Sequence, residues 1–224
     1  LDLTVTLVPA PEHDIEVGTA PGGNVVSTPA SATYGTGVAL VATPDQGFLL
    51  DNVIVMDGEQ NYLETSGGWY TNNTVTFSMP NTFVTATPSF TEALTAEDGL
   101  FINMPVSGTT VATIPDGVAS FKIYDNGGEN GYYTTGTGEL ELTVPEGYVL
   151  QVTGNTDVYS NYYGSLTFFD GNTEAATLKY VSGSKDIGTV VGTGRTMTLR
   201  FFTWSANASG LNLTATLMDA SVPH

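Results

Sequence analysis

Few side chains in this sequence could carry out covalent chemistry. The 224 residues include no cysteine and only two histidines, His13 and His224. His13 lies in a linker-like Ala-Pro-Glu-His-Asp stretch, so neither histidine sits where a serine and an acid could complete a catalytic triad. Without cysteine the chain can form neither a thiolate nor a disulfide, and two histidines are too few for a typical zinc centre. We therefore expect no nucleophilic catalysis.

Carboxylates are the one abundant reactive group. The chain has 23 acidic residues against five basic ones, a formal charge of −18, and all five basic residues follow position 121. Paired carboxylates can cleave glycosidic bonds, but they need a cleft that small β modules do not provide. A field of this sign also repels phosphate groups. We therefore predict no enzyme, no nucleic-acid partner and no attachment to anionic membranes.

The glycine-rich stretch at residues 124–142, YDNGGENGYYTTGTGELEL, raises the question of phosphate binding. It precedes a strand pattern, whereas a phosphate-binding loop opens a helix, and no lysine follows its glycines. The interpretation that we favour is a structural turn that packs Tyr132 or Tyr133 against the core. The alternative is a metal site.

Alternation of apolar and polar residues dominates the chain, and no amphipathic helix is evident. Predicted strands lie at residues 1–7, 37–42, 47–56, 74–79, 82–87, 119–124, 139–144, 147–153, 164–169, 176–181, 195–202 and 211–217. This spacing, with Gly, Asn, Asp and Pro between strands, predicts an all-β protein with under one-tenth helix. No apolar run approaches the roughly 20 residues that span a bilayer. The lack of cysteine fits bacterial export.

The first part of the chain contains a repeat. Residues 2–9, DLTVTLVP, align with residues 81–88, NTFVTATP, which predicts that residues 1–10 close a preceding module and that 11–92 form a complete copy. Residues 22–58 contain a Gly-Gly turn, a short strand, a Thr-Pro and then G-x-x-V-x-L-x-A-T-P-D-x-G-F, and a late F-x-M-P follows before the last strand. This order resembles the divergent internalin-type B-repeat of bacterial surface proteins. The resemblance implies a small β-rich, grasp-like module that serves as a spacer or adhesive stalk.

The second part, residues 119–217, contains Y-D-N-G-G-x-N-G-x-Y, then T-V-P-E-G-Y, L-T-F-F-D-G and T-L-R-F in that order. It resembles a CUB domain. The resemblance implies an antiparallel β-sandwich of jelly-roll type over residues 100–224, after a linker at 93–99. Leu140, Leu142 and Val144 are expected to face its core.

Many CUB domains hold calcium through three carboxylates. The corresponding positions here are Gly164, Trp204 and the region of Tyr159 and Ser160. No carboxylate matches, so the family's calcium site is not expected and no cofactor should be required. A different calcium site that uses Asp125, Glu129 or Asp157 remains the alternative.

Aromatic residues replace those carboxylates. The resemblance places Tyr159, Tyr162, Tyr163 and Trp204 together at the loop end of the sandwich. Aromatic rings with a polar edge suit binding surfaces, although such rings can also fill the end of the core. A second group, Tyr62, Trp69 and Tyr70, lies in a loop that looks exposed, with a self-packed loop as the alternative. We predict ligand contacts from the first group and from Trp69 and Tyr70.

Together these features predict a non-catalytic binding or adhesion segment of an exported, cell-surface bacterial protein. Its ligand would be a protein or a glycan, and further domains of the same chain are expected because the sequence begins within a strand pattern. The alternative is an accessory carbohydrate-binding region of a secreted hydrolase.

Overall fold

The protein is built almost entirely from β-strands. A computed structural model describes residues 8–158, 163–204 and 208–223. Within these ranges the one helical element is a 3₁₀ turn at Ala96–Asp98, which confirms the predicted all-β class. No helix in the described ranges is long and apolar enough to cross a membrane. The chain divides into two compact units between Glu92 and Ala93.

The first unit contains eight strands in two sheets. The strands are β1 (Glu12–Val17), β2 (Gly23–Thr28), β3 (Ser31–Thr33), β4 (Gly37–Pro44), β5 (Phe48–Asp57), β6 (Ser66–Gly68), β7 (Thr74–Ser78) and β8 (Val84–Glu92). One sheet has the order β3-β1-β8-β5, and the other has the order β2-β4-β7-β6. The pair β1 and β8 is parallel, with Ile15 opposite Val84, and the other pairs are antiparallel.

Alternation along these strands builds the core of the first unit. Val38 and Leu40 of β4 are buried, as are Val53 and Val55 of β5, while the residues between them are at least partly exposed. A tight turn joins β4 to β5, because Gly47 has a φ of +86° and the Phe48 N–H donates to the Asp45 carbonyl at 3.0 Å. Residues 1–7 of the predicted closing strand lie outside the described ranges.

The second unit is a β-sandwich. Its strands are β9 (Phe101–Asn103), β10 (Gly108–Thr113), β11 (Ser120–Tyr124), β12 (Gly136–Thr143), β13 (Tyr148–Asp157), β14 (Gly164–Phe169), β15 (Thr177–Ser182), β16 (Lys185–Asp186), β17 (Val190–Val191), β18 (Thr196–Thr203) and β19 (Gly210–Asp219). A five-stranded sheet has the order β10-β12-β18-β14-β15. A six-stranded sheet comprises β16-β13-β19-β11-β9 along its main path, and β17 also pairs with β13.

The core of the sandwich follows the sequence prediction. Leu140, Leu142 and Val144 are fully buried, together with Phe121 and Ile123 of β11. Residues 93–99, which we predicted to be a linker, lie in the second unit. Here the Ala96 N–H donates to Ser120 Oγ at 3.1 Å, so this segment is tied to the edge of β11.

Candidate ligand-binding site

The outer face of the five-stranded sheet, defined as the side turned away from the sandwich core, is shaped by β18. Alternate residues of this strand point to opposite sides of the sheet. Leu199, Phe201 and Thr203 are buried against the core. Of the outward positions, Thr198 is buried, Arg200 and Phe202 are half-buried, and Trp204, just after the strand, is exposed.

A depression of about 350 Å³ lies where β18 ends. Its walls are Thr135, Gly136, Thr137, Phe202, Thr203 and Trp204, and we call it the Trp204 depression. The Trp204 side chain is 71% exposed, which is unusual for the largest apolar ring among the amino acids. Its ring centroid lies 6.4 Å from that of Phe202, with the two planes tilted by 48°. The depression therefore presents two adjacent aromatic rings beside threonine hydroxyls.

Tyr163 is joined to Trp204 through the backbone. The Trp204 N–H donates to the Tyr163 carbonyl at 2.8 Å, which extends the pairing of β14 with β18 by one residue pair. The Tyr163 side chain is 42% exposed. Tyr159 and Tyr162, the other two members of the predicted cluster, lie outside the described residues. The structure thus brings Tyr163 and Trp204 together, and the four-residue cluster as a whole stays a prediction.

The glycine-rich stretch begins with a buried acid. Asp125 is fully buried; its Oδ1 accepts the Gly127 N–H at 2.7 Å and its Oδ2 accepts the Leu211 N–H at 3.0 Å. Burial raises the pKa of Asp125 above its ordinary value, while these backbone donors act in the opposite direction. Gly210 has a φ of +72°, and a Cβ built there would lie 2.1 Å from Asp125 Oδ2. The acid thereby holds the loop against the start of β19, where only glycine fits.

Asn126 then folds the stretch back on itself. Its Oδ1 accepts the Thr134 N–H at 2.7 Å, and its Nδ2 donates to the Thr134 carbonyl at 3.3 Å. The Thr203 hydroxyl donates to the same carbonyl at 3.1 Å and accepts the Gly136 N–H at 3.1 Å. These bonds fix residues 135–137 beside Phe202. The stretch is therefore a structured wall of the Trp204 depression.

Tyr133 anchors this wall in the core. Its side chain is fully buried and packs edge-on against Phe201, with the ring centroids 5.6 Å apart. The neighbouring Tyr132 is 70% exposed. Our prediction that one of the two tyrosines packs against the sandwich is confirmed, and Tyr133 is the one.

The three carboxylates considered for calcium have other partners. Asp157 accepts hydrogen bonds from the Ser209 hydroxyl at 2.6 Å and the Ser184 hydroxyl at 2.9 Å, and these donors lower the pKa of Asp157. Burial raises the pKa of Tyr124, and the nearby Glu129 carboxylate raises it further. The described ranges contain no group of three or more His, Asp or Glu side chains arranged to hold a metal ion. Asp125, Glu129 and Asp157 thus do not come together as a ligand set.

The second aromatic group is only partly exposed. Tyr62 is 76% exposed, whereas Trp69 is only 7% exposed and packs edge-on against the half-buried Tyr70 at 5.5 Å. The exposed interpretation of Trp69 is therefore wrong, and the alternative of a self-packed loop describes this ring. The preceding glycines belong to the short β6, which pairs with β7 so closely that a Cβ on Gly67 would lie 2.1 Å from the Thr74 carbonyl oxygen. The predicted ligand contacts of this group stay a prediction.

Comparison with known proteins finds distant structural likenesses. No protein-family model and no curated protein sequence matches the chain. Two solved structures of CUB1-EGF-CUB2 regions align with it. The human MASP-1/3 structure is 12% identical with a TM-score of 0.41, and the alignment covers 88% of this chain and 100% of the other. The rat MASP-1 structure is 10% identical with a TM-score of 0.40, and the alignment covers 90% of this chain and 99% of the other.

A third likeness is to the full extracellular region of zebrafish Gpr126/Adgrg6. The identity is 15% and the TM-score is 0.39, and the alignment covers 50% of this chain and 15% of that one. CUB-containing structures are thus among the structural neighbours, although none of these likenesses is near enough to carry a function. The internalin-type resemblance has no counterpart among them.

Proposed function

We propose that this chain is a non-catalytic binding segment of an exported, cell-surface bacterial protein, and that it contacts a protein or glycan ligand through the Trp204 depression. The exposed indole of Trp204 is the observation that carries the proposal. An aromatic ring in a shallow depression offers a large area to a partner and loses little conformational entropy on binding. The hydrogen bonds of Asn126 and Thr203 hold the wall in place before a ligand arrives.

The side chains around the depression favour binding over catalysis. Asp125 and Asp157 hold the start of β19, and their carboxylate oxygens accept hydrogen bonds from backbone and serine donors. Of the two histidines, His13 lies in β1 of the first unit. A general acid or base would need a free proton-transfer atom facing a bound substrate. Threonine hydroxyls and aromatic rings, which line the depression, serve recognition instead.

The first unit would act as a spacer. This role rests on the resemblance of residues 11–92 to an internalin-type B-repeat and on the alignment of residues 2–9 with residues 81–88. The second copy of that motif contributes to β8, which lies between β1 and β5 in its sheet. Serial modules of this kind would extend the binding unit away from the cell surface.

A second candidate function is an accessory carbohydrate-binding region of a secreted hydrolase. The observation that favours it is the pair of adjacent rings, Phe202 and Trp204, next to the Thr137 hydroxyl. The full reading frame discriminates between the two candidates. Further repeats with a surface-anchoring signal support the first, and a catalytic domain in the same frame supports the second.

Replacing Trp204 by alanine should weaken ligand binding by about 2 kcal/mol, or roughly 30-fold, because a central aromatic anchor dominates such surfaces. The measurement is binding of the whole chain to arrays of glycans and of extracellular-matrix proteins. Tyr148→Ala, which removes an exposed ring from the six-stranded sheet, is the matched control and should leave binding unchanged. Equal binding by wild type and Trp204→Ala would contradict the proposal.

Calcium should affect neither stability nor binding. Asp125 is occupied by backbone donors and Asp157 by serine donors, so a cation would have to displace existing hydrogen bonds. Thermal unfolding in millimolar calcium and in chelator tests this expectation, with magnesium as the control for general screening. A melting temperature that rises with calcium but not with magnesium would restore the metal site at Asp125, Glu129 or Asp157.

A further inference from the structure

The outer face of the five-stranded sheet continues well beyond the Trp204 depression. Cross-strand registers align one row of outward residues across all five strands, in the order Tyr180, Thr167, Arg200, Glu139 and Thr109. A second row, next to the depression, contains Ser182, Ser165, Phe202 and Thr137. Tyr180 stands on the edge strand β15 and is 62% exposed. Exposed rings therefore lie at two separated places on one face.

The charges on this face are locked in place. Arg200 Nε lies 2.7 Å from Glu139 Oε1, and the Thr109 hydroxyl donates to the other oxygen of Glu139 at 2.9 Å. The Arg200 guanidinium carbon also lies 4.9 Å from the centroid of the Phe169 ring, in cation–π geometry. Arg200 is thus neutralised within the sheet, and Glu141 in the next row adds a negative charge. Among the residues that the structure describes, this face offers an anionic ligand no unpaired cation.

The remaining outward groups suit a neutral ligand with many hydroxyls. Thr137 and Ser165 lie on either side of Phe202 in register, so hydroxyl groups flank the aromatic ring. Such side chains both donate and accept hydrogen bonds, and aromatic faces pack against the apolar faces of sugar rings. A chain charge of −18 repels polyanions over longer distances as well.

The dimensions of the face fit an extended ligand. Trp204 lies four residues after Arg200 along the direction of β18, a distance of about 13 Å at a strand rise of about 3.3 Å per residue. Tyr180 lies two strands away from Arg200, about 10 Å at a strand spacing of about 4.8 Å. The rings at either end are therefore too far apart for one sugar ring to touch both. They would contact different residues of one chain.

We propose that this face, from Trp204 and Tyr163 to Tyr180, binds an uncharged polysaccharide chain. The inference rests on the proposed function, because it assigns a ligand class to the same site and extends that site across the sheet. Its distinctive claim is that Tyr180, which lines no part of the Trp204 depression, contributes to binding.

Affinity gel electrophoresis of the whole chain tests this claim, with xylan, mannan, mixed-linkage β-glucan and dextran as neutral probes and alginate as the anionic probe. We expect at least one neutral polysaccharide to retard the protein and alginate to have no effect. Trp204→Ala should raise the apparent Kd about 30-fold and Tyr180→Ala about tenfold. Tyr148→Ala, an exposed tyrosine of the other sheet, should change it less than twofold. Circular dichroism checks that each variant is folded.

The outcomes separate this inference from the proposed function. Retardation that Tyr180→Ala leaves unchanged, or that only alginate produces, overturns the polysaccharide face. No retardation by any neutral probe, together with Trp204-dependent binding to a protein on the array, also overturns it but leaves the proposed function standing. If the wild-type chain binds nothing in either assay, both the polysaccharide face and the proposed function are contradicted.

Discussion

Replacing Tyr133 by alanine is expected to lower the free energy of unfolding of the second unit by about 3–5 kcal/mol, the usual cost of truncating a buried aromatic ring. Tyr133 is fully buried and packs edge-on against Phe201. Its removal leaves a cavity between the glycine-rich stretch and the sheet, and it also forfeits the energy of the ring contact. Urea unfolding followed by circular dichroism measures the change.

The adjacent Tyr132 provides the control. It has the same side chain one position earlier but is 70% exposed, so Tyr132→Ala should change the unfolding free energy by no more than about 0.5 kcal/mol. Similar losses for the two variants would mean that the stretch does not pack as the structure shows. It would then not form a fixed wall beside Trp204.

The second large effect concerns the buried acid. Asp125→Ala should cost about 2–3 kcal/mol, because it leaves the Gly127 and Leu211 N–H groups unpaired in a buried place. Asp116→Ala, in an exposed turn, is the control and should have little effect. A loss no larger than that of the control would show that Asp125 does not hold the loop to β19.

The pH dependence of this loss has a definite sign. Burial raises the pKa of Asp125 in the folded state, so folding takes up a proton between the unfolded and folded pKa values. The contribution of Asp125 to stability is therefore fully present below its unfolded pKa and declines as the pH rises through its folded pKa. We expect the difference between wild type and Asp125→Ala to be larger at acidic pH than at neutral pH. The opposite trend would show that the backbone donors outweigh burial.

Alternation along the sequence was enough to predict the central strands. Apolar residues recur at every second position in β12 and β18, and the sandwich buries them: Leu140 and Leu142 in β12, and Met197, Leu199 and Phe201 in β18. Short strands with a single buried side chain could not be found in this way. In β1 only Ile15 is buried, and in β10 only Ala112 is, so these strands carry no apolar stripe for a sequence pattern to detect.

The candidate site was predictable in part. The resemblance to CUB domains predicts Trp204 and Tyr163 as site residues. Phe202 could not be predicted, because the sequence does not show which side of β18 faces outward. The pairing of Asp125 with Leu211 joins positions 86 residues apart, which no local spacing reveals. The glycine and asparagine neighbours of Trp69 suggest an exposed loop, whereas the ring is buried and packs against Tyr70.

The most direct test of binding through the Trp204 depression measures two properties of one variant, Trp204→Ala: its affinity for whichever array ligand the wild type binds, and its free energy of unfolding in urea. Because the indole is 71% exposed, we expect an unfolding free energy within about 0.5 kcal/mol of wild type. The affinity should fall about 30-fold. A variant that loses several kcal/mol of stability but binds as tightly as wild type would show that Trp204 belongs to the core, and would contradict a binding site there.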